Sequence, residues 1–244
     1  SLRVSIKFQR VVGLMALLLS ISTGWSAHHD HMLLLSDDFD RADASAAQDG
    51  LGREWGTNSD RRASGQKQAT LRDGVFQLTT APGADHNAVA YHPISPAFED
   101  GAIQIRFRMR AGEFFAVDFN NPECGTVHSG HIINVAFRPD GVTIKDSKSG
   151  AMNLKIRTEV KAGRKTPAIT TLIKNSSKML RANLADGAWH EASLIKRGDT
   201  LTVQLDGETL GQFQSPGITH DTINKVSISA KSSPLLDDLK VWSL

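Results

Sequence analysis

The stretch Gly101–Arg110, GAIQIRFRMR, alternates apolar and polar residues with a period of two. Ile103, Ile105, Phe107 and Met109 fall on one face of an extended chain, and the side chains between them are glutamine and arginine. Successive side chains of a β-strand point to opposite faces, so a strand with this pattern packs one face and exposes the other. The segment therefore predicts a half-buried β-strand.

The same alternation recurs along the chain, interrupted by turn residues. Asp73-Gly74, Asp206-Gly207 and Pro139-Asp140-Gly141 predict tight hairpins, because these residues tolerate a positive φ. About a dozen strands are too many for one open twisted sheet. The sequence thus predicts an all-β fold, a two-sheet antiparallel β-sandwich or jelly roll. Besides Gly101–Arg110, the predicted strands are 69–71, 75–79, 88–92, 114–119, 131–137, 142–145, 189–196, 201–205, 209–214, 225–230 and 236–242.

The composition is that of an ordinary globular protein. The chain has 244 residues, of which 40% are hydrophobic and 22% charged, and it contains 1 Cys. These values exclude collagen-like, disulfide-stapled and disordered classes. A chain of this length buries roughly 70% of its unfolded surface, so it can form a core without disulfides or metals. The single Cys124 lies among loop-forming residues and is predicted to be an incidental thiol rather than a nucleophile.

The first residues have the pattern of an export signal. Arg3, Lys7 and Arg10 precede the apolar run Val11–Ile21, and small residues follow up to Ala27. This order predicts a secretory signal peptide, since eleven apolar residues are too few to cross a bilayer core of about 30 Å. Without its three basic residues, 25 basic residues face 26 acidic ones, a net charge of −1 instead of +2. The basicity of the whole chain is therefore no argument for a nucleic-acid partner.

These patterns divide the chain into a signal peptide at 1–27, a flexible N-terminal tail at 28–33 and one jelly-roll domain at 34–244. The mature protein is expected in a bacterial periplasm, at the cell surface or outside the cell, with no stable membrane span after cleavage. Its oligomeric state is left open.

One segment departs from the β pattern: Thr166 can cap a helix that starts at Pro167, and apolar residues follow at spacings of three and four up to Leu184. A short helical insertion is predicted there, with a strand or an ordered loop as the alternatives.

Five segments together carry a family resemblance: Leu35–Arg41 (LSDDFDR), Gly52–Trp55 (GREW), Trp189–Glu191 (WHE), Gly198–Gly207 (GDTLTVQLDG) and Leu236–Trp242 (LDDLKVW). They resemble the concanavalin A-like, laminin-G-like jelly-roll superfamily. Within it the chain is similar to secreted bacterial 3-keto-disaccharide hydrolase-like and laminarinase-like proteins. The resemblance implies a carbohydrate-active enzyme acting on a poly- or oligosaccharide. Because the superfamily also holds lectins and adhesion modules, a non-catalytic glycan-binding or cell-surface adhesion module is the alternative.

One catalytic motif of that superfamily is missing. Laminarinase-type hydrolases carry Glu-x-Asp-x-x-Glu on one strand, which sets two carboxylates about 5 to 5.5 Å apart. The sequence contains no such motif, and Asp118, the nearest inward-facing acidic residue, has no partner carboxylate on its strand. This absence argues against the retaining two-carboxylate mechanism.

The resemblance implies that a ligand lies across the concave sheet, where polar residues of central strands are candidates. Asp118 and Asn134 lie among apolar neighbours and need partners, which Arg106 or Arg108 is predicted to supply. His131 begins the strand that holds Asn134. The hypothesis is a cluster in which Asp118 and His131 transfer protons while the arginines and Asn134 bind substrate. The alternative is a set of solvated strand faces with one structural ion pair.

Acidic residues near both ends of the domain suggest a metal. Asp37 and Asp38 lie near the first strand, Asp237 and Asp238 near the last, and the resemblance implies that these strands are neighbours. Carboxylate oxygens suit Ca²⁺, so a structural calcium ion is predicted. The alternative is that these aspartates cap turns and shield sheet edges.

A basic strip lies in the second half of the domain. Between Lys155 and Arg181 the chain carries eight lysines and arginines, opposed only by Glu159. On an exported protein of nearly neutral charge, such a strip suits a sulfated or uronate-containing polysaccharide. The alternative is an ordinary solvated face.

Overall fold

A computed structural model describes residues 31–232 and 234–244. The predicted signal peptide and residues 28–30 of the predicted tail lie outside these ranges. Within them the chain forms fifteen strands and three short α-helices. The strands are β1 (Met32–Asp37), β2 (Gly56–Thr57), β3 (Ala69–Arg72), β4 (Val75–Leu78), β5 (Ala88–Phe98), β6 (Gly101–Arg108), β7 (Phe114–Asn120), β8 (His131–Arg138), β9 (Gly141–Asp146), β10 (Ser177–Arg181), β11 (His190–Arg197), β12 (Thr200–Leu205), β13 (Glu208–Gln214), β14 (Ile223–Ser232) and β15 (Leu235–Ser243). The helices are α1 (Ser59–Arg62), α2 (Leu154–Lys161) and α3 (Pro167–Asn175).

The strands pair into two antiparallel sheets. One, here called the back sheet, has the order β13-β12-β11-β6-β15-β4-β3, and β1 also pairs with β15. The other, here called the cleft sheet, has the order β10-β9-β8-β7-β14-β5-β2. The chain crosses between the sheets many times, among other places from β5 to β6, from β6 to β7 and from β14 to β15. This is the predicted two-sheet sandwich.

The core lies between the two sheets. The four apolar residues of the 101–110 segment that the alternation assigned to the packed face are all fully buried. Phe107 of the back sheet meets Phe115 and Phe137 of the cleft sheet, with ring centroids 5.2 Å apart in both pairs. Phe115 and Phe137 stack on each other at 4.4 Å. Close packing of such rings excludes water and fixes the separation of the sheets.

Two of the predicted hairpins have the backbone geometry that their sequence requires. Asp73 and Gly74 join β3 to β4 with φ of 53° and 72°. Asp206 and Gly207 join β12 to β13 with φ of 52° and 85°. Positive φ at both central residues suits the right-handed twist of the flanking strands, which explains the Asp-Gly pairs.

The helical insertion is confirmed, with a different end. The Thr166 hydroxyl accepts a hydrogen bond from the Ile169 backbone N–H at 3.2 Å, so it caps α3 as predicted. The helix ends at Asn175, and β10 follows two residues later, so the apolar spacing up to Leu184 spans a helix and a strand. Helix α2 was not predicted. Across the described ranges, no helix is long and apolar enough to cross a membrane.

The first strand begins earlier than the predicted domain boundary. Met32 and Leu33 pair with Ser243 and Trp242 at the end of β15. Both residues had been assigned to the flexible tail, so the folded domain includes them.

Asp37 ties the end of β1 to the loop that follows it. Its side chain is 1% exposed and accepts two hydrogen bonds from the Arg41 guanidinium, at 2.6 and 3.0 Å. It also accepts from Arg53 at 3.1 Å, from the Trp55 indole at 2.8 Å and from the Phe39 backbone at 2.9 Å. Burial raises the pKa of Asp37, but the hydrogen bonds from Arg41, Phe39 and Trp55 together lower it by more. The net pKa therefore lies below its ordinary value of 3.8.

Replacement of this carboxylate tests the network. We expect Asp37→Asn to lower the free energy of unfolding by about 3 kcal/mol at neutral pH, since it leaves the largely buried guanidinium of Arg41 without its anion. Because the folded-state pKa is depressed, ionised Asp37 stabilises the fold above 3.8, and this contribution is lost as pH falls through the folded-state pKa. Urea unfolding over an acid pH series should show the difference between wild type and variant shrinking.

The neighbouring Asp38 provides the control, since its side chain is 62% exposed. We expect Asp38→Asn to leave the urea midpoint nearly unchanged. Equal losses for the two variants would contradict a special role for Asp37.

Candidate functional site

A row of polar side chains crosses five strands of the cleft sheet. The strand register places Lys145, Asn134, Asp118, Ser227 and Tyr91 side by side on β9, β8, β7, β14 and β5. Each alternates with residues that face the core, so the row lies on the opposite, outer face of the sheet. This arrangement gives an extended ligand a line of hydrogen-bonding groups perpendicular to the strands.

A second, shorter row runs beside the first. His131 of β8 is paired with Asn120 of β7, which is paired with Lys225 of β14. Lys225 is half-buried, and its Nζ lies 5.0 Å from the centroid of the Tyr91 ring. The two rows therefore combine an imidazole, an amide, an ammonium group and an aromatic ring on one face.

Asp118 is the buried centre of the first row. It is 3% exposed, and its Oδ1 accepts a hydrogen bond from Asn134 Nδ2 at 3.0 Å. The same oxygen lies 3.2 Å from Nδ1 of His131. A carboxylate oxygen can only accept, so this contact places a ring proton on Nδ1 of the neutral imidazole and leaves Nε2 with its lone pair. None of the described residues forms a hydrogen bond with Nε2.

A tight turn holds His131 at the start of β8. Ser129 and Gly130 have φ of 52° and 74°, and a Cβ atom at Gly130 would collide with the Asn121 carbonyl. The backbone N–H of Asn121 also donates to the Gly130 carbonyl at 2.9 Å. Glycine is needed here because it alone combines this φ with so close an approach.

A cavity of about 560 Å³ lies over one side of the two rows. Its floor includes Asn120, Ser227 and Lys225, and helix α1 supplies Arg61 and Arg62 at its wall. Of the described residues that line it, none carries a carboxylate. The lining residues are Asn58, Arg61, Arg62, His86, Val89, Tyr91, Asn120, Ser129, His131, Lys225 and Ser227.

The cavity is electropositive. Burial lowers the pKa of Lys225, the positive charge of Arg61 lowers it further, and the charge of Asp118 opposes both effects. At the other end, burial lowers the pKa of His128, as do the charges of Arg157, His131, Lys161 and Arg62. Cations of α1 and α2 therefore act on the same end of the cleft.

Asn120 carries an acceptor that lacks a partner. The residue is 1% exposed, and its Nδ2 donates to Ser227 Oγ at 2.8 Å. Its Oδ1 is buried and has no hydrogen-bond partner among the described residues, although the residue lines the cavity. Buried acceptors are nearly always satisfied, so this oxygen is an exception at the floor of the cavity.

The structure brings together three of the five residues proposed for the cluster, namely Asp118, His131 and Asn134. Arg106 and Arg108 lie elsewhere, on β6 of the back sheet, because the chain crosses the sandwich between β6 and β7. Their side chains point away from the core on the opposite surface of the domain. The prediction that an arginine of β6 partners Asp118 is therefore wrong, and neither arginine contributes to binding in this cleft.

Arg106 has its own partners on the back sheet. Its Nη1 donates to Asp238 at 3.0 Å and lies 3.5 Å from Asp237. Its guanidinium lies 5.2 Å from the ring centroid of Trp189, and that of Arg108 lies 5.7 Å from the same ring. The hydrogen bond to Asp238 raises the pKa of Arg106 above its ordinary value.

These ion pairs also bear on the predicted calcium site. Asp37 is held by Arg41 and Arg53, whereas Asp237 and Asp238 are held by Arg106. Carboxylates already neutralised by arginine do not fit a Ca²⁺ ion, which needs six to eight oxygen ligands. Residues 31–232 and 234–244 contain no group of three or more His, Cys, Asp or Glu side chains that could hold a metal ion. Calcium binding stays a sequence-based prediction that this arrangement does not support.

Removal of metal tests that conclusion. We expect the melting temperature of the protein to be the same in EDTA and in excess CaCl₂, because a bound ion would stabilise the folded state by mass action. A melting temperature that rises with added Ca²⁺ would support the sequence-based prediction of a calcium site.

Sequence reasoning missed several residues of the cleft, among them Asn120, Tyr91, Lys225 and Ser227. Alternation on β14, with buried Val226 and Ile228 between polar residues, places Lys225 and Ser227 on an outer face. It does not say that β14 lies between β7 and β5. The pairing of β14 with β7 and β5 joins segments about a hundred residues apart in the sequence, so no local sequence pattern predicts it.

Comparisons with solved structures show the fold. An endo-beta-1,3(4)-glucanase from family GH16, SCLam, superposes with a TM-score of 0.55 at 13% identity, over 90% of this chain and 93% of that one. A laminarinase from Flavobacterium sp. UMI-01 gives 0.56 at 11% identity, over 87% and 100%. A laminarinase catalytic domain from Thermotoga petrophila RKU-1 gives 0.51 at 13% identity, over 88% and 98%.

Neither a family profile nor a curated protein sequence matches the chain. The structural neighbours are concanavalin A-like jelly-roll proteins, and this chain has the same jelly-roll fold. The laminarinase-like resemblance noted from the sequence is thus confirmed at the level of fold.

The turn before β8 can be tested by mutation. We expect Gly130→Ala to lower the free energy of unfolding by about 1 to 3 kcal/mol, because alanine is strained at this φ and its Cβ meets the Asn121 backbone. Gly125→Ala, in the same loop, is the control, since a Cβ there meets no atom within 4 Å. Urea unfolding of both variants gives the comparison. Equal midpoints would mean that the turn does not constrain His131.

Proposed function

We propose that the protein is an exported carbohydrate-active protein that binds an acidic oligo- or polysaccharide across the outer face of the cleft sheet. The observation that carries this proposal is the cavity over the two polar rows. It combines three cationic side chains, no carboxylate lining and the unpartnered Oδ1 of Asn120.

The polar rows favour a sugar over other ligands. Hydroxyl, amide and imidazole groups of neighbouring strands lie at the strand spacing of roughly 4.8 Å, close to the dimensions of a pyranose ring. Tyr91 adds an aromatic side chain at the edge of the cavity. One of the solved structures with the same fold carries a 1,3-beta-D-cellobiosyl-glucose at its active site, which agrees with such a ligand in this architecture.

The charges favour an acidic sugar. Arg61, Arg62 and Lys225 line the cavity, and Arg157 and Lys161 of the basic strip act on its His128 end. An ammonium or guanidinium group binds a carboxylate or sulfate through charge-assisted hydrogen bonds, which are roughly twice as strong as neutral ones. Arg62 already pairs with Asp85 at 3.2 Å, whereas a neutral glucan would offer no anion to Arg61 and Lys225.

A protein that binds a glycan in this cleft could be a carbohydrate-active enzyme or a non-catalytic binding module. Hydrolysis by two paired carboxylates is not supported, because Asp118 is shielded and none of the described lining residues is a carboxylate. A non-catalytic glycan-binding or adhesion module needs only the binding surface, and the lack of paired carboxylates favours it over a retaining hydrolase. Export is supported by the pattern of basic, apolar and small residues in the first 27 positions.

Isothermal titration of the purified protein with matched oligosaccharides tests the proposal. We expect oligouronates or sulfated oligosaccharides to bind and neutral β-1,3-glucan oligosaccharides to bind much more weakly. Lys225→Met should weaken binding about tenfold or more, because it removes a charge-assisted hydrogen bond at the cavity floor. Added salt should weaken wild-type binding for the same electrostatic reason.

Lys240→Met provides the matched control, since Lys240 lies on β15 of the back sheet and does not line the cavity. It should bind as wild type does. Preferential binding of the neutral glucan, or equal losses in the two lysine variants, would contradict an acidic ligand in the cleft.

A further inference from the structure

From the same site we infer a reaction: the protein is a polysaccharide lyase, which cleaves a uronate-containing glycan by β-elimination with His131 as the proton-transferring residue. The inference rests on the proposed function, because elimination requires a bound uronate. It also explains why the cleft pairs cations with a single buried carboxylate.

The cleft does not supply the reactive groups that a glycoside hydrolase needs. Hydrolysis by carboxyl groups requires two of them at the glycosidic bond, about 5 to 5.5 Å apart or about 6.5 to 9.5 Å apart. None of the described residues that line the cavity carries a carboxylate, and the side chain of Asp118 is 4% exposed beneath His131. A sugar in the cleft therefore meets an imidazole and cations rather than a pair of acids.

His131 supplies a base instead. Asp118 Oδ1 lies 3.2 Å from Nδ1, whereas Nε2 has no partner among the described residues, and the ring is 29% exposed. A carboxylate that orients an imidazole through Nδ1 leaves Nε2 as a base and stabilises the imidazolium that forms when it accepts a proton. Asn134 donates to the same oxygen and so holds the carboxylate in place.

Lys225 supplies the cation. Lys225 and His131 both pair with Asn120, from its two sides, so their backbones are two strand spacings or roughly 10 Å apart. One sugar ring with its carboxylate fits across such a gap. A carboxylate neutralised by Lys225 or Arg61 makes the hydrogen on the adjacent C5 more acidic, which is the condition for its removal.

The reaction then balances without any further reagent. Nε2 of His131 takes the C5 proton, the C5–H electron pair becomes the C4–C5 double bond, and the C4–O4 bond breaks with its electrons on O4. The imidazolium returns the proton to O4, which stays on the anomeric carbon of the preceding sugar. The products are an unsaturated uronate at the new non-reducing end and a sugar with a free anomeric hydroxyl at the new reducing end. No water is consumed and nothing is oxidised.

A single proton carrier imposes a stereochemical requirement. His131 can take the proton from C5 and return it to O4 only when both lie on the same face of the ring. D-mannuronate and D-glucuronate meet this condition, whereas their C5 epimers L-guluronate and L-iduronate present the C5 hydrogen on the opposite face. The inference therefore assigns 4-linked D-mannuronate and D-glucuronate as substrates.

The test uses the whole purified protein with two epimeric oligosaccharides, oligomannuronate and oligoguluronate, and a sulfated neutral oligosaccharide. The ultraviolet absorbance of the conjugated C4–C5 double bond reports elimination, and isothermal titration reports binding in the same samples. We expect absorbance to rise with oligomannuronate and to stay flat with the other two. His131→Asn should lower kcat by at least about 100-fold while it leaves binding nearly unchanged.

Asp118 is a positioning residue in this scheme. Asp118→Asn should lower kcat and leave KM and the melting temperature close to wild type, a split that loss of folding would not produce. His190→Gln is the matched control, because His190 also contacts an aspartate through Nδ1, Asp206 at 2.8 Å, but lies on the back sheet. It should keep full activity.

The outcomes separate the two proposals. Binding of oligomannuronate without an unsaturated product would overturn the lyase inference and leave the proposed function standing. No binding of any acidic oligosaccharide would overturn the proposed function itself. Cleavage of oligoguluronate in preference to oligomannuronate, or full activity in His131→Asn, would overturn the role of His131 as the single proton carrier.

Discussion

The structure depends on the burial of both faces of β7. On one face Phe115, Val117 and Phe119 form part of the sandwich core, and on the other Ala116, Asp118 and Asn120 are almost inaccessible although they lie on the outer side of the sheet. Polar groups buried in this way must find partners, since an unsatisfied one costs about 1 to 3 kcal/mol. The neighbouring strands supply His131, Asn134 and Ser227 for this purpose, and in doing so they assemble the cleft. The same contacts thus stabilise the central strand and orient the imidazole, which leaves the Asn120 oxygen as the one buried acceptor of this group without a partner.

Charge is divided between the two outer surfaces of the sandwich. On the back sheet, arginine and aspartate neutralise each other, as Arg106 does with Asp237 and Asp238. Around the cleft, Arg61 and Lys225 face the cavity with Asp118 buried below them, so positive charge is left for a ligand. This division explains why a net charge close to zero for the folded domain is compatible with an acidic ligand. It also explains why the acidic clusters at the domain ends, already paired with arginines, are poor metal sites.

Local patterns were sufficient for the fold. Alternation in Gly101–Arg110 and the Asp-Gly turns depend only on the strand period and on backbone sterics, and both are confirmed in the structure. The alternation also places Asp118 and Asn134 on one face, and their pairing follows because β7 and β8 are adjacent in sequence. The sequence-based prediction that Arg106 lies in the cleft is wrong because alternation shows which face of a strand a residue occupies. Alternation does not show which sheet the strand joins. Tyr91 and Lys225 were missed because β5, β14 and β7 become neighbours only through the crossing of the chain between the sheets.

The central claim is that a glycan lies on the cleft sheet, over the rows that contain Asp118 and Asn120. Nuclear magnetic resonance of isotope-labelled protein titrated with an acidic oligosaccharide tests it most directly. We expect the largest chemical-shift changes at the Asn120 side-chain amide, the His131 ring and the backbone of Ser227 and Tyr91. Changes centred instead on Arg106, Trp189 and Asp238 would place the ligand on the back sheet and contradict the account.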